Sequence, residues 1–243
     1  MTISIITATY NNESTITNTI ESVNYQTIRP YEHIIIDGKS KDETLKKLQP
    51  YPHLKIISEP DKGLYDALNK GINLAQGEII GFLHGDDFYA DEHVLELVQK
   101  TFEQSDCEAV YGNLQYVLAD NTSKIIRKWD AGQYHRKKIK RGWMPPHPTL
   151  FLKKSVYEKY GNFDLSYSIA SDYELMMRFL WKNNISISYI PRVLVNMRSG
   201  GKSNRLGNIY LKMKEDYRVI RTHHIGGICV LLAKNLRKIT QFF

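Results

Sequence analysis

The first hundred residues alternate between short apolar runs and stretches with helical periodicity. Four runs rich in β-branched residues have the length of strands. They occupy residues 3–8, 33–36, 54–57 and 78–83. Between and after these runs, apolar residues recur every three or four positions, which predicts amphipathic helices. These positions are Ile16, Ile20 and Val23, then Leu64, Leu68, Ile72 and Ala75, then Val94, Leu95, Val98 and Phe102. Strands that are apolar on both faces and are joined by helices predict an α/β fold with a mostly parallel sheet.

The second half of the chain mixes strand and helix signals. Residues on either side of the turn at 119–122 predict a β-hairpin, and short apolar runs predict three later strands. The hairpin strands are 110–118 and 123–129, and the later strands are 149–153, 185–190 and 193–197. Ser171 as N-cap with Glu174 three residues later has the pattern of a capping box, which predicts a helix that runs to about Trp181.

The last forty residues carry two amphipathic patterns. The first predicts a helix docked on the fold, with apolar positions at Leu206, Ile209, Met213, Tyr217 and Ile220. The second places Lys234, Arg237 and Lys238 opposite an apolar stripe. That stripe is Ile225, Ile228, Leu232, Leu236, Ile239 and Phe243. This arrangement is typical of a helix that lies in a membrane interface. Packing on the rest of the fold or on a partner subunit is the alternative.

Polar loops follow the four strands of the first half, at 7–12, 37–42, 59–63 and 84–87. We expect them to form one site, because ligands of open α/β sheets bind outside the carboxyl ends of the strands. The last loop contains Asp86 and Asp87. Adjacent carboxylates repel each other, and hard oxygen ligands suit Mn²⁺ or Mg²⁺. The sequence therefore indicates a metal site, with capping of the next helix as the alternative.

Composition limits the class of protein. A chain of 243 residues with 42% hydrophobic residues fits one large domain or two small lobes that share a core. Its two cysteines, Cys107 and Cys229, form no motif, which favours a reducing compartment and argues against a zinc site. We expect no export signal, because the first strand starts within two residues of Met1. The longest apolar run, 225–233, is too short to span a bilayer.

The formal net charge of +7 favours an anionic partner, such as nucleic acid, anionic lipid or a phosphorylated ligand. Basic residues cluster at 135–141 and in the last forty residues. Aromatic residues are sparse among them, short of a platform on which bases could stack. We therefore expect no nucleic-acid partner.

Eight motifs in order resemble the inverting family 2 glycosyltransferases with a GT-A fold, nearest the branch that makes bacterial capsule and O-antigen. They are SIITATYN from residue 4, IDGKSKDET from 36, EPDKGLYDALNKG from 59, GEII from 77, the pair Asp86 and Asp87, HPT from 147, GNFD from 161 and SDYE from 171. The resemblance extends from residue 4 to about residue 203. It implies a Rossmann-like, mostly parallel central sheet flanked by helices, and transfer of a sugar from a nucleotide-activated donor with inversion.

The resemblance also implies a set of donor-binding residues. Asp37 matches an Asp that recognises the nucleotide base, since a carboxylate is a strong acceptor for the N–H of uracil; a plain turn at this position is the alternative. Thr7 and Thr9 match the lining of the same pocket. Asn69 and Lys70 match positions near the donor, where Lys70 faces either the diphosphate or solvent.

The metal and the catalytic base follow from the same resemblance. Asp87 matches the direct ligand of Mn²⁺ or Mg²⁺, and Asp86 the contact to the ribose or to a metal-bound water, although the motif is Gly-Asp-Asp rather than Asp-x-Asp. The metal neutralises charge on the departing nucleoside diphosphate. Asp172 matches the general base that takes the proton of the acceptor hydroxyl. An ordinary Asp in the first turn of a helix is the alternative.

Three further residues are candidates for substrate contacts. His147 and Trp143 are expected to contact the acceptor, with core packing as the alternative for His147. Arg198, followed by Gly200 and Gly201, matches a loop that closes over the donor phosphates. A surface turn is the alternative there.

These expectations combine into one description of the chain. Residues 1–105 would bind the nucleotide-sugar, 106–203 would form the acceptor-binding and catalytic half of the same domain, and 204–243 a helical, membrane-associating tail. The enzyme would be a metal-dependent hexosyltransferase that moves a sugar from a UDP-sugar to a lipid diphosphate-linked glycan, in the cytoplasm at the inner face of the membrane. Oligomeric state stays open.

Two other classes of protein are alternatives. A sugar nucleotidylyltransferase would need a glycine-rich phosphate loop after the first strand, and residues 8–12 contain no glycine. A non-enzymatic basic module that binds membranes or nucleic acid would use the positive charge alone.

Overall fold

The computed structural model describes residues 1–200 and 206–239, without the side chains of 206–208, 238 and 239. The strands are β1 (Ile3–Thr9), β2 (Glu32–Asp37), β3 (Lys55–Ser58), β4 (Ile79–Phe82), β5 (Phe88–Tyr89), β6 (Ala109–Val117), β7 (Ile125–Trp129), β8 (Phe151–Lys153) and β9 (Ile187–Arg198). The helices are α1 (Ile16–Asn24), α2 (Thr44–Leu48), α3 (Leu64–Leu74), α4 (Val94–Gln104), α5 (Arg136–Ile139), α6 (Lys154–Tyr160), α7 (Ser171–Met176), α8 (Leu206–Thr222) and α9 (Ile228–Ile239). His147–Thr149 forms a 3₁₀ turn, and Met177–Lys182 continues α7 as a π-helical stretch.

The first half of the sheet is parallel, as the sequence predicts. Strand β1 lies between β2 and β4, and β3 extends the sheet beyond β2, all in parallel. The register pairs Thr9 with Asp37 and Asp37 with Ser58, so three strands end at the same edge of the sheet. Every residue of β1 is buried. This edge is where the polar loops meet.

The second half of the sheet is mixed. Strand β8 is antiparallel to both β4 and β6, β6 is parallel to β9, and β5 and β7 are antiparallel to their neighbours. The sheet order is β3-β2-β1-β4-β8-β6-β9-β5, with β7 paired to β6. The two strands predicted at 185–190 and 193–197 are one strand, β9. Its register shifts between Ile190 and Val193, where Pro191 lacks an N–H to donate.

The predicted capping box is wrong. Helix α7 has Ala170 as its N-cap, with no side-chain cap. The hydroxyl of Ser171 donates to the carbonyl of Asp164 at 2.8 Å instead. Glu174 is buried and lies 2.9 Å from Arg178 Nη2 and 3.1 Å from His223 Nε2. The charged guanidinium of Arg178 stabilises a carboxylate more strongly than a neutral backbone N–H does, so the glutamate turns away from the helix start.

Helix α9 packs on the core. Ile225, Val230 and Leu231 are buried in the hydrophobic core. Gly142 has φ +75°, and a Cβ placed there would lie 2.2 Å from the backbone N of Lys234, so α9 crosses directly over this turn. The packed arrangement that the sequence left as an alternative is therefore the one observed. No helix among the described residues has the length and apolar character needed to cross a membrane.

The buried faces of the two C-terminal helices differ from those that the sequence predicts. Lys234 is buried, although the sequence pattern groups it with solvent-facing cations. Ile225 is also buried, whereas the other described members of the α9 stripe are exposed; they are Ile228, Leu232 and Leu236. The side chain of Ile239, and Phe243 as a whole, lie outside the described residues. On α8, Ile220 is buried, but an apolar stripe faces solvent; it is Ile209, Tyr210, Met213 and Tyr217.

Candidate active site

A cavity of about 670 Å³ opens at the carboxyl ends of β1 and β4. All four polar loops of the first half contribute to it, as the sequence predicts, through Thr9, Gly38, Asp61 and Asp86. The second half of the chain supplies the opposite part of the lining. Its polar members are Tyr116, Arg127, His147, Asp172, Arg198, Lys212 and Lys234.

One end of the cavity presents an aromatic ring beside a carboxylate. Tyr10 is 44% exposed and lines the cavity together with Gly38 and Asp61. A Cβ at Gly38 would lie 2.7 Å from Asp61 Oδ2 and 3.4 Å from the Tyr10 ring. Because Gly38 has no side chain, the Tyr10 ring and the Asp61 carboxylate can both lie close to this position. Such a pair offers a stacking face and a hydrogen-bond acceptor to a planar ligand.

Two of the predicted donor residues lie behind this surface. Asp37 is fully buried, and its carboxylate accepts hydrogen bonds from Ser40 N at 3.0 Å, from the Ser40 hydroxyl, and from Ser58 Oγ at 2.6 Å. Thr7 Oγ1 lies 2.9 Å from Nε2 of the buried His33, whose pKa burial lowers to about 3. Asp37 and Thr7 therefore hold the loops in place and do not line the cavity, whereas Thr9 does.

The two adjacent carboxyl groups have different surroundings. Asp86 lines the cavity. Asp87 is fully buried, its Oδ1 accepts a hydrogen bond from Arg198 N at 3.2 Å, and its Oδ2 has no hydrogen-bond partner among the described residues. Burial and the nearby charge of Asp86 raise the pKa of Asp87 well above its usual value. The structure thus gives Asp86 access to the cavity and places Asp87, the direct metal ligand expected from the sequence, inside the fold.

Asp172 also lines the cavity, at the first turn of α7. Its Oδ1 accepts a hydrogen bond from Tyr173 N at 2.7 Å and lies 3.2 Å from the hydroxyl of Tyr65. The same hydroxyl lies 2.6 Å from the carbonyl O of Ile169. Tyr65 stacks on Phe163 with ring centroids 5.4 Å apart. One carboxylate oxygen of Asp172 is therefore fixed in position.

A single glutamate of α8 holds the loop before Asp172. Glu215 is 7% exposed and accepts three backbone hydrogen bonds, from Ser168 N at 2.8 Å, Ile169 N at 2.8 Å and Ala170 N at 2.9 Å. Hydrogen bonds to a charged acceptor are about twice as strong as those between neutral groups. The C-terminal helix pair is thus connected to the candidate base and is not a separate tail.

Asn69 and Lys70 lie outside the cavity. Asn69 Nδ2 donates to the Phe163 carbonyl at 2.9 Å, and its Oδ1 accepts from the Phe163 N–H at 2.9 Å. Lys70 Nζ lies 2.9 Å from Glu59 Oε1 and donates to the Pro60 carbonyl at 2.8 Å. Asn69 therefore joins α3 to a later loop, and Lys70 fixes the loop before α3. Neither side chain lines the cavity.

The two candidate acceptor residues have different positions. His147 lines the cavity and stacks on Phe82 with ring centroids 5.4 Å apart. Burial lowers the pKa of His147 to about 4, so the ring is neutral at pH 7. Trp143 is 3% exposed, and its Nε1 donates to the Ala131 carbonyl at 2.7 Å. The indole is part of the core, which corrects the expectation that it contacts the acceptor.

Arg198 ends β9 at the cavity wall. Its Nη1 donates to the backbone carbonyl of Asp86 at 2.6 Å, and its Nη2 donates to Asn18 Oδ1 at 2.8 Å. The guanidinium carbon lies 4.8 Å from the centroid of the Phe88 ring. Arg198 is therefore held in place on a strand. Gly200 has φ +106°, and Gly201, the second glycine of the expected loop, lies outside the described residues.

Sequence reasoning missed several lining residues. Tyr10 and Tyr65 lie within quoted motifs, but nothing in their spacing gave them a role. Lys212 and Lys234 carried a signal, the basic composition of the last forty residues, which does not say where each cation points. Among the described residues, no group of three or more His, Cys, Asp or Glu side chains has the geometry to hold a metal ion.

Sequence comparison identifies relatives over most of the chain. The family described as Glycosyl transferase family 2 matches residues 4–161. An uncharacterised glycosyltransferase of Mycobacterium tuberculosis is 32% identical over 189 residues, which cover 73% of this chain and 68% of the relative. A PGL/p-HBAD biosynthesis glycosyltransferase of Mycobacterium bovis is 27% identical over 210 residues, which cover 84% of this chain and 79% of the relative.

Structural comparison finds the same fold in solved glycosyltransferases. Staphylococcus aureus TarS 1–349 in complex with UDP-GlcNAc superposes with a TM-score of 0.70 at 18% identity, covering 93% of this chain and 66% of that one. The mannosyltransferase PcManGT of Pyrobaculum calidifontis, in complex with GDP-Man and Mn²⁺, gives a TM-score of 0.68 at 16% identity, covering 96% and 68%. The expected GT-A fold is confirmed. The family matches more than half of the chain's length, so the chain belongs to glycosyl transferase family 2.

Proposed function

We propose that this chain is an inverting glycosyltransferase that takes its sugar from a nucleotide-sugar, a UDP-sugar in the first instance. The observation that carries the proposal is that Asp86, Asp172, Tyr10 and Asp61 line one cavity. Solved neighbours hold UDP-GlcNAc or GDP-Man on the same fold, which supports this donor class. The family assignment makes a nucleotidylyltransferase or a non-enzymatic module unnecessary as an explanation.

Inversion requires one general base and no covalent nucleophile. Asp172 fills that role in the proposal: its fixed Oδ1 leaves the second carboxylate oxygen to accept the proton of the acceptor hydroxyl as that oxygen attacks the anomeric carbon. The bond from the anomeric carbon to the donor diphosphate breaks in the same step, and the nucleoside diphosphate leaves. Tyr65 orients the base through its hydroxyl, 3.2 Å from Asp172 Oδ1.

A divalent cation fits the donor end of the cavity. Mg²⁺ and Mn²⁺ are commonly held by one or two carboxylates together with substrate phosphates, and Asp86 supplies one exposed carboxylate. His84 lines the cavity as well, and its buried Nδ1 has no hydrogen-bond partner among the described residues. Asp86, assisted by His84, would hold the ion. The ion would neutralise negative charge on the leaving diphosphate.

The two aspartates should therefore respond differently to the same change. We expect Asp86→Asn to abolish metal-stimulated binding of UDP, because it removes the carboxylate that faces the cavity. Asp87→Asn should leave that stimulation intact, because the Asp87 side chain is buried and does not line the cavity. Calorimetric titration of UDP with and without Mn²⁺ measures both effects. If Asp87→Asn abolished the stimulation and Asp86→Asn did not, Asp87 would be the metal ligand.

The acceptor that we propose is a growing surface glycan of capsule or O-antigen type on a lipid diphosphate, reached from the cytoplasmic face of the membrane. Support comes from the exposed apolar stripes of α8 and α9, which would contact the lipid interface, and from the net charge of +7. We expect the double change Leu232→Ser and Leu236→Ser to lower binding to anionic vesicles several-fold without changing the unfolding temperature. Side chains that are 51% and 61% exposed add little to the core. Unchanged vesicle binding would contradict the proposed membrane contact.

The experiment that tests the function is a screen of nucleotide-sugars for slow, enzyme-dependent hydrolysis. When no acceptor is present, water would attack the anomeric carbon in its place, which frees the sugar and releases the nucleoside diphosphate. Release of UDP from one member of the panel, lost in Asp172→Asn, would support the proposal. No release from any member, together with no binding of UDP or GDP, would contradict it.

A further inference from the structure

Three cationic side chains that the proposed mechanism leaves unused line the cavity. They are Arg127 of β7, Lys212 of α8 and Lys234 of α9. All three come from the second half of the chain. The loops that would hold the donor come from the first half. Arg198, the other arginine in the lining, donates a hydrogen bond to the backbone carbonyl of Asp86. All three cations therefore lie in the part of the lining that the second half of the chain supplies.

A buried carboxylate organises the two lysines. Asp216 Oδ1 lies 2.6 Å from Lys234 Nζ, and its Oδ2 lies 3.5 Å from Lys212 Nζ. The side chains of Asp216 and Lys234 are 1% and 3% exposed, whereas that of Lys212 is 26% exposed. A buried charge is costly unless it is paired. Asp216 thus stabilises both ammonium groups and fixes the position of the buried Lys234.

Aromatic faces hold the cations from the other side. Lys234 Nζ lies 3.5 Å from the centroid of the Tyr173 ring, next in sequence to Asp172. Arg127 Cζ lies 4.5 Å from the centroid of Tyr116 and 5.7 Å from that of Trp129. Cation–π contacts of this kind orient a charged group without neutralising it. Aromatic rings thus orient Arg127 and Lys234, and the ring against Lys234 belongs to the residue that follows the candidate base.

We propose that Arg127, Lys212 and Lys234 form a second phosphate site, which binds a phosphate group of the acceptor and not the diphosphate of the donor. Three cations and the Asp216 carboxylate give the group a net charge of +2, which matches a phosphate ester. Lysine binds phosphate as a point charge and arginine binds it with two N–H groups. The inference rests on the proposed glycosyltransferase function, because it assigns the charge carried by that enzyme's acceptor.

The test uses the full chain saturated with UDP, with free Mg²⁺ held constant, and inorganic pyrophosphate as the probe. We expect pyrophosphate to bind this complex. Lys212→Met and Lys234→Met should each weaken pyrophosphate binding about ten-fold, the worth of one hydrogen bond to a charged group. Binding of UDP should change by less than about two-fold. Lys214→Met is the matched control, since Lys214 is an exposed residue of α8, the helix that carries Lys212.

Three results would overturn the second site. They are no binding of pyrophosphate to the UDP-loaded wild type, lysine variants that weaken UDP instead of pyrophosphate, and lysine variants that behave like Lys214→Met. If Lys234→Met fails to fold, Lys212→Met decides the question, because that side chain is partly exposed. If no nucleotide binds but pyrophosphate alone still depends on the lysines, the site stands and the proposed donor chemistry fails.

Discussion

Replacing Asp172 with Asn is expected to lower the rate of sugar transfer by about two to four powers of ten, the usual worth of a general base. The change keeps the shape of the side chain, and its oxygen still accepts the hydrogen bond from Tyr173 N. The protein loses only the ability to take the proton of the acceptor hydroxyl. Single-turnover transfer measures the rate, and UDP affinity should stay within a few-fold.

Asp106→Asn is the control for this change, because the Asp106 side chain is fully exposed and does not line the cavity. It should transfer at the wild-type rate. Near wild-type turnover in Asp172→Asn would show that another residue is the general base. A fall in unfolding temperature along with activity would instead assign Asp172 to the structure of α7.

A chain that ends at Thr222 is expected to lose most of its stability and all activity. This truncation exposes the sites on which Ile225, Val230 and Leu231 pack, at about 1.5–3 kcal/mol for each buried side chain. The sum, about 5–9 kcal/mol as an upper estimate, is comparable with the whole stability of a typical domain. Urea unfolding and UDP release from the donor would measure the two effects.

This outcome differs from what the sequence alone indicates. A membrane-associating tail that follows all the site residues should be removable without loss of the fold. A truncated chain with the wild-type urea midpoint and intact hydrolysis of the donor would restore that description. The exposed pair Leu232 and Leu236, changed to Ser in the full chain, provides the comparison in which the helix stays but its outer face changes.

The parallel half of the sheet could be predicted because its signals are local. Each strand is a short β-branched run, and each helix has one apolar face, so order and type follow from the sequence. The later elements depend on tertiary partners. Glu174 left its expected position at the start of α7 for Arg178 and His223, and β9 continues through Pro191 because its neighbour β6 accommodates a shift in register.

The candidate site was predictable where the chain reaches the edge of the sheet. Thr9 ends β1 and lines the cavity, whereas Thr7 lies two residues deeper and contacts His33. The difference between Asp86 and Asp87 depends on burial, which two identical neighbours in a sequence do not reveal. For Lys234, periodicity gave the helix but not the surface on which it packs, so a buried cation was taken for an exposed one.

The three hydrogen bonds that Glu215 accepts also set the order in which the enzyme becomes competent during synthesis. Domains fold as units while the chain emerges from the ribosome, starting with the amino-terminal part. The polar loops of the first half emerge with the turn after β4, well before α8. The loop of the base stays without its carboxylate anchor until residues beyond 215 are free. The candidate base therefore takes its final position only after α8 has emerged and packed against its loop.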